Sequence, residues 1–585
     1  MPGKYKRSSE VLNKKFLKIA VPAVVAEICT MICVATDSIV AQHFIDNRSV
    51  AAIALLATFM TVFQVMHDLF GSCTTILITR KKCEVSNEAA SRTLADMTVV
   101  ILAVFSVIAL IIAVGGKSFL NFLTDDRDLI KLAWTYYFPV LITSPLMEIL
   151  LIIERSFKTE GNIAYFSARP VICNVANILL DILFVAVLHK GIVWLAYATI
   201  ISNLLGYVWS LSYPLIRPCN IKVDYRGILS KGRMKNTIRE EVEIGSAYFF
   251  GDMIDLVNTG LTAKLVLMLG GSVGMVSYGI MKNIKSMVEG FVFPVVGNAN
   301  IFSGALYAEE DRKGLSTITK TTVKSIIIFT GAVIAVLILI PQAPALIYDV
   351  TDSNQFHSMR ICLLTFGFCI LWDSLAYYIR TFLISIKRER LSTVLSIVQR
   401  LTQLGLIAGA ALTGSITVIW LALGWSSFIF VTVFGIIAKK KLRFEEALPD
   451  YDMLDYTCEL KPDSASKISE EVCRLLTENG ISERTGIKTG LIIEDCAMLI
   501  IKENKGHPVK ADIRVKVSDE EIKVFFYYDG VFIMKDKTGT EKADDFHENL
   551  EFTILQGMAE NMKHILVARL NCLEFAVDRR NEAVK

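Results

Sequence analysis

Asn177 and Asp181 lie four residues apart in an apolar run, hence on one face of a helix. Asp181 stands eight residues before His189, and Thr199 eight residues after Gly191, on either side of the tight turn His189-Lys190-Gly191. At a rise of 1.5 Å per residue both sit roughly 12 Å from that turn, side by side in a helical hairpin. Asp37 precedes Phe44, the end of the first apolar run, by seven residues, so its depth is similar. Two carboxylates, an amide and a hydroxyl can therefore converge. Oxygen donors suit a hard cation such as Na⁺. Two carboxylates sharing a low-dielectric site also hold a proton more readily than one in water, which allows loading and release. A polar network that only ties three helices together fits the same spacing.

The elements that must position these residues follow from composition. The chain has 585 residues, 53% hydrophobic and only 20% charged, with a mean hydropathy of +0.49. Met97–Gly116, Gly191–Ile216 and Ser325–Tyr348 carry no Asp, Glu, Lys or Arg, and Leu401–Ala438 carries none over 38 residues, room for two spans joined at Gly414-Ser415. About 20 mostly apolar residues cross a bilayer, so these are membrane segments. A soluble enzyme, a secreted disulfide protein and a nucleic-acid binder are excluded. The net charge of +3 averages two unlike regions: residues 446–585 carry 28 acidic and 19 basic residues, a balance of −9, against +12 before them. All six Trp precede residue 446. The twelve Cys fall mostly in apolar segments, as Cys29, Cys33, Cys173, Cys362 and Cys369 do, with no C-x-x-C pair, and read as buried structural thiols. A basic N-terminus precedes the apolar run 16–44, which is too long for a signal-peptide core, so no cleavage is expected.

Apolar runs between charged or Pro/Gly-rich breaks predict twelve spans, at 13–43, 50–79, 93–115, 130–153, 164–188, 192–216, 239–268, 275–306, 318–340, 358–386, 391–413 and 417–438. Arg80-Lys81-Lys82, Arg155 with Lys158, the 217–239 loop, Arg312-Lys313, Lys387-Arg388 and Lys439-Lys440-Lys441 all fall on one side, which places both termini in the cytoplasm of a cell-membrane protein. At an offset of 225 residues, Arg155-Ser-Phe157 meets Arg380-Thr-Phe382, Ile19-Ala-Val-Pro22 meets Ile244-Gly-Ser-Ala247, and Glu27 meets Asp252. An offset of an even number of spans is a parallel repeat, two six-helix lobes around a cleft. The expected fold is an all-α polytopic membrane protein of twelve transmembrane helices in two six-helix lobes, plus a C-terminal α/β two-layer sandwich. Its expected parts are a first lobe (1–220), a basic loop (221–238), a second lobe (239–440), a juxtamembrane linker (441–465) and a soluble domain (466–585). In the last, 468–479, 485–504 and 546–562 read as helices, 511–517 and 521–528 as paired strands, and 565–577 as ending in a strand.

The first lobe resembles the multidrug and toxic compound extrusion (MATE) transporters. The likeness is carried by Phe16-Leu-Lys-Ile-Ala-Val-Pro-Ala23, Ala35-Thr-Asp-Ser-Ile-Val40, Arg155-Ser-Phe-Lys-Thr-Glu-Gly-Asn162 and Asn177-Ile-Leu-Leu-Asp181, and in the second lobe by Ser277-Tyr-Gly-Ile280 and 294–307. The resemblance covers roughly residues 12–440. It implies a secondary antiporter that exports small amphiphilic or cationic compounds in exchange for H⁺ or Na⁺ by alternating access, with no enzymatic activity and no cofactor. It carries the coupling-ion role onto Asp37, Asn177, Asp181 and Thr199. Asp255 and Asp373 approximate carboxylates that another branch of the family uses, a candidate second-lobe site. Lys282 and Lys285 stand out in a cation exporter. Paired with Glu289, Asp255 or Asp252 they are structural; unpaired, they suit an anionic or zwitterionic substrate. Two alternatives stay open: a lipid-linked-sugar flippase of the same superfamily, and a transporter-like receptor that signals through its tail.

The tail resembles the histidine-kinase-like ATPase domain of anti-sigma-factor kinases. Glu494 in Leu491-Ile-Ile-Glu494-Asp-Cys-Ala-Met498 matches the family's base, but Met498 replaces its magnesium-binding Asn. In Tyr528-Asp529-Gly530, Tyr528 replaces the adenine-contacting Asp, and the glycine-rich lid is absent. The resemblance implies a degenerate domain without ATP hydrolysis, with Glu494 and Asp529 as a residual nucleotide site or the domain as a dock for a cytoplasmic regulatory partner.

Overall fold

A computed structural model describes the chain except residues 1–7, 9, 45–51, 53–55, 124–125, 160–162, 218, 225, 227–230, 348–352, 441–451, 505–506, 508, 519, 531–556, 568–569 and 580–585; some helical side chains, those of 32–44 among them, also lie outside the description. The first half is helical: α1 (Glu10–Phe44), α2 (Ala57–His67) and α3 (Cys73–Glu84) joined by a π-helical stretch at Asp68–Ser72, then α4 (Asn87–Leu123), α5 (Arg127–Lys158), α6 (Ile163–Asp181) running into a second π-helical stretch at Ile182–Val187, α7 (Val193–Leu211) and the short α8 (Tyr213–Ile216). The second half has α9 (Lys231–Ala308), α10 (Arg312–Leu339), the short α11 (Gln342–Ile347), α12 (Ser353–Ser385), α13 (Glu389–Leu412) and α14 (Ile416–Lys440). α9 is two spans back to back. Gly271 takes φ +58°, a left-handed conformation open to glycine, and breaks the helix between 232–271 and 273–308.

Among the described residues ten helices are long and apolar enough to cross a membrane. The first two of the twelve expected spans do not enter that count. Their positions belong to α1 and to the α2–α3 helix, which the π-helical stretch divides into pieces of 11 and 12 residues. Large apolar side chains point outward along the spans, with Leu110, Val114, Leu339 and Leu412 each more than 60% exposed, the surface a lipid solvent demands. Polar caps set helix starts where the chain leaves that solvent: Asp126 accepts from the amides of Asp128 and Leu129, and Asp311 from that of Gly314. The repeat offset holds along the backbone, since α1 and α5 map onto the first part of α9 and onto α12.

The tail is β1 (Asp452–Leu460), α15 (Pro462–Glu478), α16 (Glu483–Glu503), β2 (Val509–Val517), β3 (Glu521–Tyr528), β4 (Glu560–Val567) and β5 (Leu570–Asp578). The strands form one antiparallel sheet in the order β1-β2-β3-β5-β4. Strand β3 explains its own unbroken apolar sequence. Val524, Phe526 and Tyr528 pack under α15 and α16, whereas Phe525 and Tyr527 join the core of the second lobe, so both faces are dry. Two expectations are corrected. The stretch 441–465 contains β1, which pairs along its length with β2 instead of acting purely as a linker. The helix expected at 546–562 gives way to β4 from Glu560, because the edge residues pair with β5; residues 546–556 lie outside the described residues.

Candidate functional site

In the first lobe α1 packs along α6, and both helices start at the face that carries the tail. Asn174 donates its side-chain amide to the Thr30 hydroxyl at 3.1 Å, one rung between the two helices. Seven residues beyond that rung, α1 reaches position 37 and α6 reaches Asp181, so the two backbones stand level, about 10 Å further along. The Asp37 side chain lies outside the described residues. Asn177 and Asp181 are buried, at 4% and 1% exposure. Asp181 closes the last α-helical turn before the π-helical stretch, a wide turn of a kind common at functional sites. Thr199 is half-buried on α7, which packs on α6, and its hydroxyl donates to the Leu195 carbonyl at 3.0 Å. At the repeat offset Asn177 and Asp181 meet Thr402 and Leu406. The second lobe has no carboxylate at those positions.

Two polar pairings of this lobe leave no signal in the sequence. His67 Nδ1 lies 2.8 Å from Glu148 Oε2, linking the end of α2 to α5. Glu154 pairs with Arg169 at 2.6 Å, and the guanidinium stacks over the Tyr207 ring at 4.9 Å. Each pair joins residues far apart in sequence, and neither has a spacing that announces it. The π-helical stretches are equally silent in sequence.

In the second lobe each expected carboxylate faces a cation. Asp373 accepts from Lys285 at 2.8 Å and from the Ser427 hydroxyl at 3.0 Å, and Asp255 pairs with Arg400. Glu289 lies 3.7 Å from Lys285, and Arg380 donates to Gln399. The side chains of Lys285, Glu289, Asp373 and Asp255 are each about a third exposed or more, and charged groups within spans face a wet cleft instead of lipid. Lys285 is thus paired. Lys282 is exposed, stands 5.8 Å above the Tyr278 ring, and makes no ion pair among the described residues.

Between the lobes, three ion pairs and a buried hydrogen bond lie at the tail-side face. Arg80 of α3 pairs with Glu389 of α13 and donates to the Ile384 carbonyl. Lys81 pairs with Glu240 at 2.7 Å, Arg233 with Asp96 at 2.7 Å, and Thr74 donates to the buried Glu241 at 2.8 Å. Between them Cys73 and Leu77 of α3 pack on Ile244 and Ile384, and a Cβ on Gly245 would stand 2.4 Å from the Leu69 carbonyl oxygen. This face is shut.

In the tail, Glu494 accepts from the Ser466 hydroxyl at 2.6 Å, and Asp529 is paired with Lys15 of α1. Met498, half-exposed on α16, offers no hard donor. With both acids engaged by protein partners and no oxygen ligand at 498, the set does not fit a metal-bound nucleotide, and no group of three or more candidate metal ligands occurs among the described residues.

Residues 22–183 match the MatE family. Nothing among curated proteins matches the chain. Among solved structures, a MOP superfamily transporter from Pyrococcus furiosus Vc1 (DSM3638) aligns with a TM-score of 0.68 at 16% identity, over 76% of this chain and 100% of that one. Its description reports a binding pocket of reverse polarity that suggests a different function. An outward-facing multidrug resistance MATE family transporter aligns with a TM-score of 0.68 at 14% identity over the same shares, and a MATE protein in a bent conformation with 0.67 at 16%. The chain is a multi-pass membrane protein whose residues 22–183 carry the MatE family match and whose helical body has the fold of these MATE transporters.

Proposed function

We propose that the protein is a secondary antiporter that exports small amphiphilic or cationic compounds in exchange for H⁺ or Na⁺ by alternating access. α1 and the α2–α3 helix complete twelve spans, and the basic loops put both termini and the tail in the cytoplasm. The observation that carries the reading is the Thr30–Asn174 rung, which sets position 37 level with the buried Asp181 on a helix running the same way. Asp37, Asn177, Asp181 and Thr199 are the coupling site. An incoming cation bound there draws α1 toward α6 and α7. Because the near half of α1 packs on the second lobe, that movement reaches the interface between lobes. Ion-driven transport in proteoliposomes tests it: Asp37→Asn and Asp181→Asn abolish coupling, and persistence of full coupling in both variants overturns it. Runs with a pH gradient alone and with a Na⁺ gradient alone choose the ion.

Lys282 favours a second reading of the substrate. An exposed cation over an aromatic ring in a charged cleft suits a compound that carries an anionic group, zwitterions and lipid-linked sugars included. The solved relative with a pocket of reverse polarity makes such a departure from cation export credible within this fold. A receptor that signals through the tail without export is the remaining alternative; undetectable counterflow with all substrates in the intact chain, and signalling that depends on the tail, would mark it.

A further inference from the structure

The body-facing side of the tail sheet grips two places. One is the start of α1: the Ser8 amide donates to the Thr457 hydroxyl at 2.7 Å, Lys510 pairs with Glu10 at 2.6 Å, and Asp529 pairs with Lys15. The other is the turn between α9 and α10. Arg514, almost fully buried in the sheet, donates to the carbonyls of Glu309 at 3.0 Å and Glu310 at 2.7 Å; Lys516 pairs with Glu310, Lys313 with Asp455 at 2.9 Å, and the Tyr527 hydroxyl donates to Glu309 at 2.7 Å. Glu310 takes φ +53°, a left-handed conformation unfavourable for a side chain, and Arg514 and Lys516 hold it there. α1 is also packed on α9 directly, with Phe16 edge-on to Phe302 at 6.0 Å. Tail, α1 and second lobe therefore form one joint at the face that is shut. To open that face, α1 must leave α9, and the joint must break.

We propose that the C-terminal domain is an autoinhibitory clamp that holds the start of α1 to the second lobe and keeps this face closed, with the Glu309–Tyr527 contact setting its grip according to pH. The clamp rests in part on the alternating-access reading, since only a carrier needs this face to open.

The charged and titratable groups of its own turn and of the sheet side that faces Glu309 include Glu310, Asp311, Arg312 and Lys313 of the turn, Asp455 of β1, Asp512, Arg514 and Lys516 of β2, Lys523 and Tyr527 of β3, and Cys572 and Glu574 of β5. Burial pushes the Glu309 carboxyl up from 4.5 to about 7; Glu574 and Asp311 add to the rise, and the Tyr527 hydroxyl and Arg514 oppose it. The docked form therefore binds the extra proton. Docking is strongest below the ordinary carboxyl range, weakens as pH rises toward 7, and is level above it. Asp529 has the opposite sign: burial raises its carboxyl, but the Lys15 hydrogen bond and the charges of Lys15, Lys18 and Lys14 lower it further. Its contribution holds above the ordinary range and fades only in strong acid. Between pH 5.5 and 7.5 Glu309 alone of the two titrates.

Hydrogen exchange of the full chain in lipid nanodiscs, read in peptides over 8–16, 305–313 and 521–528 and corrected for intrinsic rate, tests the grip. Protection falls at least ~10-fold from pH 5.5 to 7.5, a fraction of the change allowed by a shift of this size. Glu309→Gln stays protected at both pH values. Arg514→Ala and, at an exposed position that spares the fold, Lys313→Ala lose protection at both and speed alkylation of Cys73 between the lobes. Equal protection of the wild-type chain at both pH values, or unchanged Cys73 alkylation in both clamp variants, overturns the proposal. None of these readouts needs a substrate, so they stand or fall apart from ion-driven transport.

Discussion

Asn174 and Thr30 share a hydrogen bond of 3.1 Å that ties α6 to α1 two turns short of Asp181. The bond fixes the relative height of two parallel helices, and with it which residues can meet further along. It is a positioning contact, below the proposed coupling site instead of in it.

That placement separates two variants. Asp181→Asn removes a charged ligand and lowers ion-driven transport by at least ~10-fold, the equivalent of one charge-assisted bond of about 1.5–3 kcal/mol. Asn174→Ala leaves coupling intact and lowers thermal stability by about 1 kcal/mol. Uptake at fixed gradient together with melting in detergent tells them apart; equal loss of coupling in both would make the rung part of the site.

The mostly buried Arg80–Glu389 pair holds the lobes together where they are shut. Removing one partner of a buried pair costs about 3–5 kcal/mol. Arg80→Ala therefore shifts the protein toward opening at this face, and alkylation of the buried Cys73 beside it rises. Unchanged labelling would show that the pair is not what keeps this face closed.

Gly245 lets α9 approach the π-helical stretch of the first lobe. Its absent Cβ would stand 2.4 Å from the Leu69 carbonyl oxygen and 2.6 Å from Leu69 Cδ1, closer than real contacts allow. Gly245→Ala must part the lobes at that point. It is expected to raise Cys73 labelling as Arg80→Ala does and to slow turnover, because the closed state is never fully reached. Gly331→Ala, with open space around it, is the control that changes neither.

If the substrate carries an anionic group, Lys282→Ala raises its KM at least ~10-fold with little change in turnover, a uniform loss of binding. Lys282→Glu shifts preference toward organic cations. Counterflow with a zwitterion and a quaternary amine as competitors reads both; indifference of both substrates to position 282 removes the lysine from the cleft.

Ten of the twelve expected spans are legible in sequence, because lipid requires each to be long, apolar and hydrogen-bonded within itself, and their intervals coincide with helices able to cross a membrane among the described residues. What sequence hid depends on partners remote in the chain: Lys285 against Asp373, Arg400 against Asp255, His67 against Glu148. The π-helical turns leave no mark on composition. In the tail, β1 was read as linker because its polar residues, Asp455 and Thr457, face a docked surface that only the folded chain supplies.

The two-sided burial of β3 has a consequence for how the molecule is made. Phe525 and Tyr527 find cover against a surface built from α1, α9 and α10, and the strand that carries them is synthesised after all three. Strand β3 thus finds its cover only if α1 and the α9–α10 turn come to rest on one side of the bilayer with it. A nascent chain that skipped one span would deliver its tail to the wrong compartment with an aromatic face uncovered. Such a polypeptide would carry an exposed aromatic patch where the properly threaded one has a buried contact.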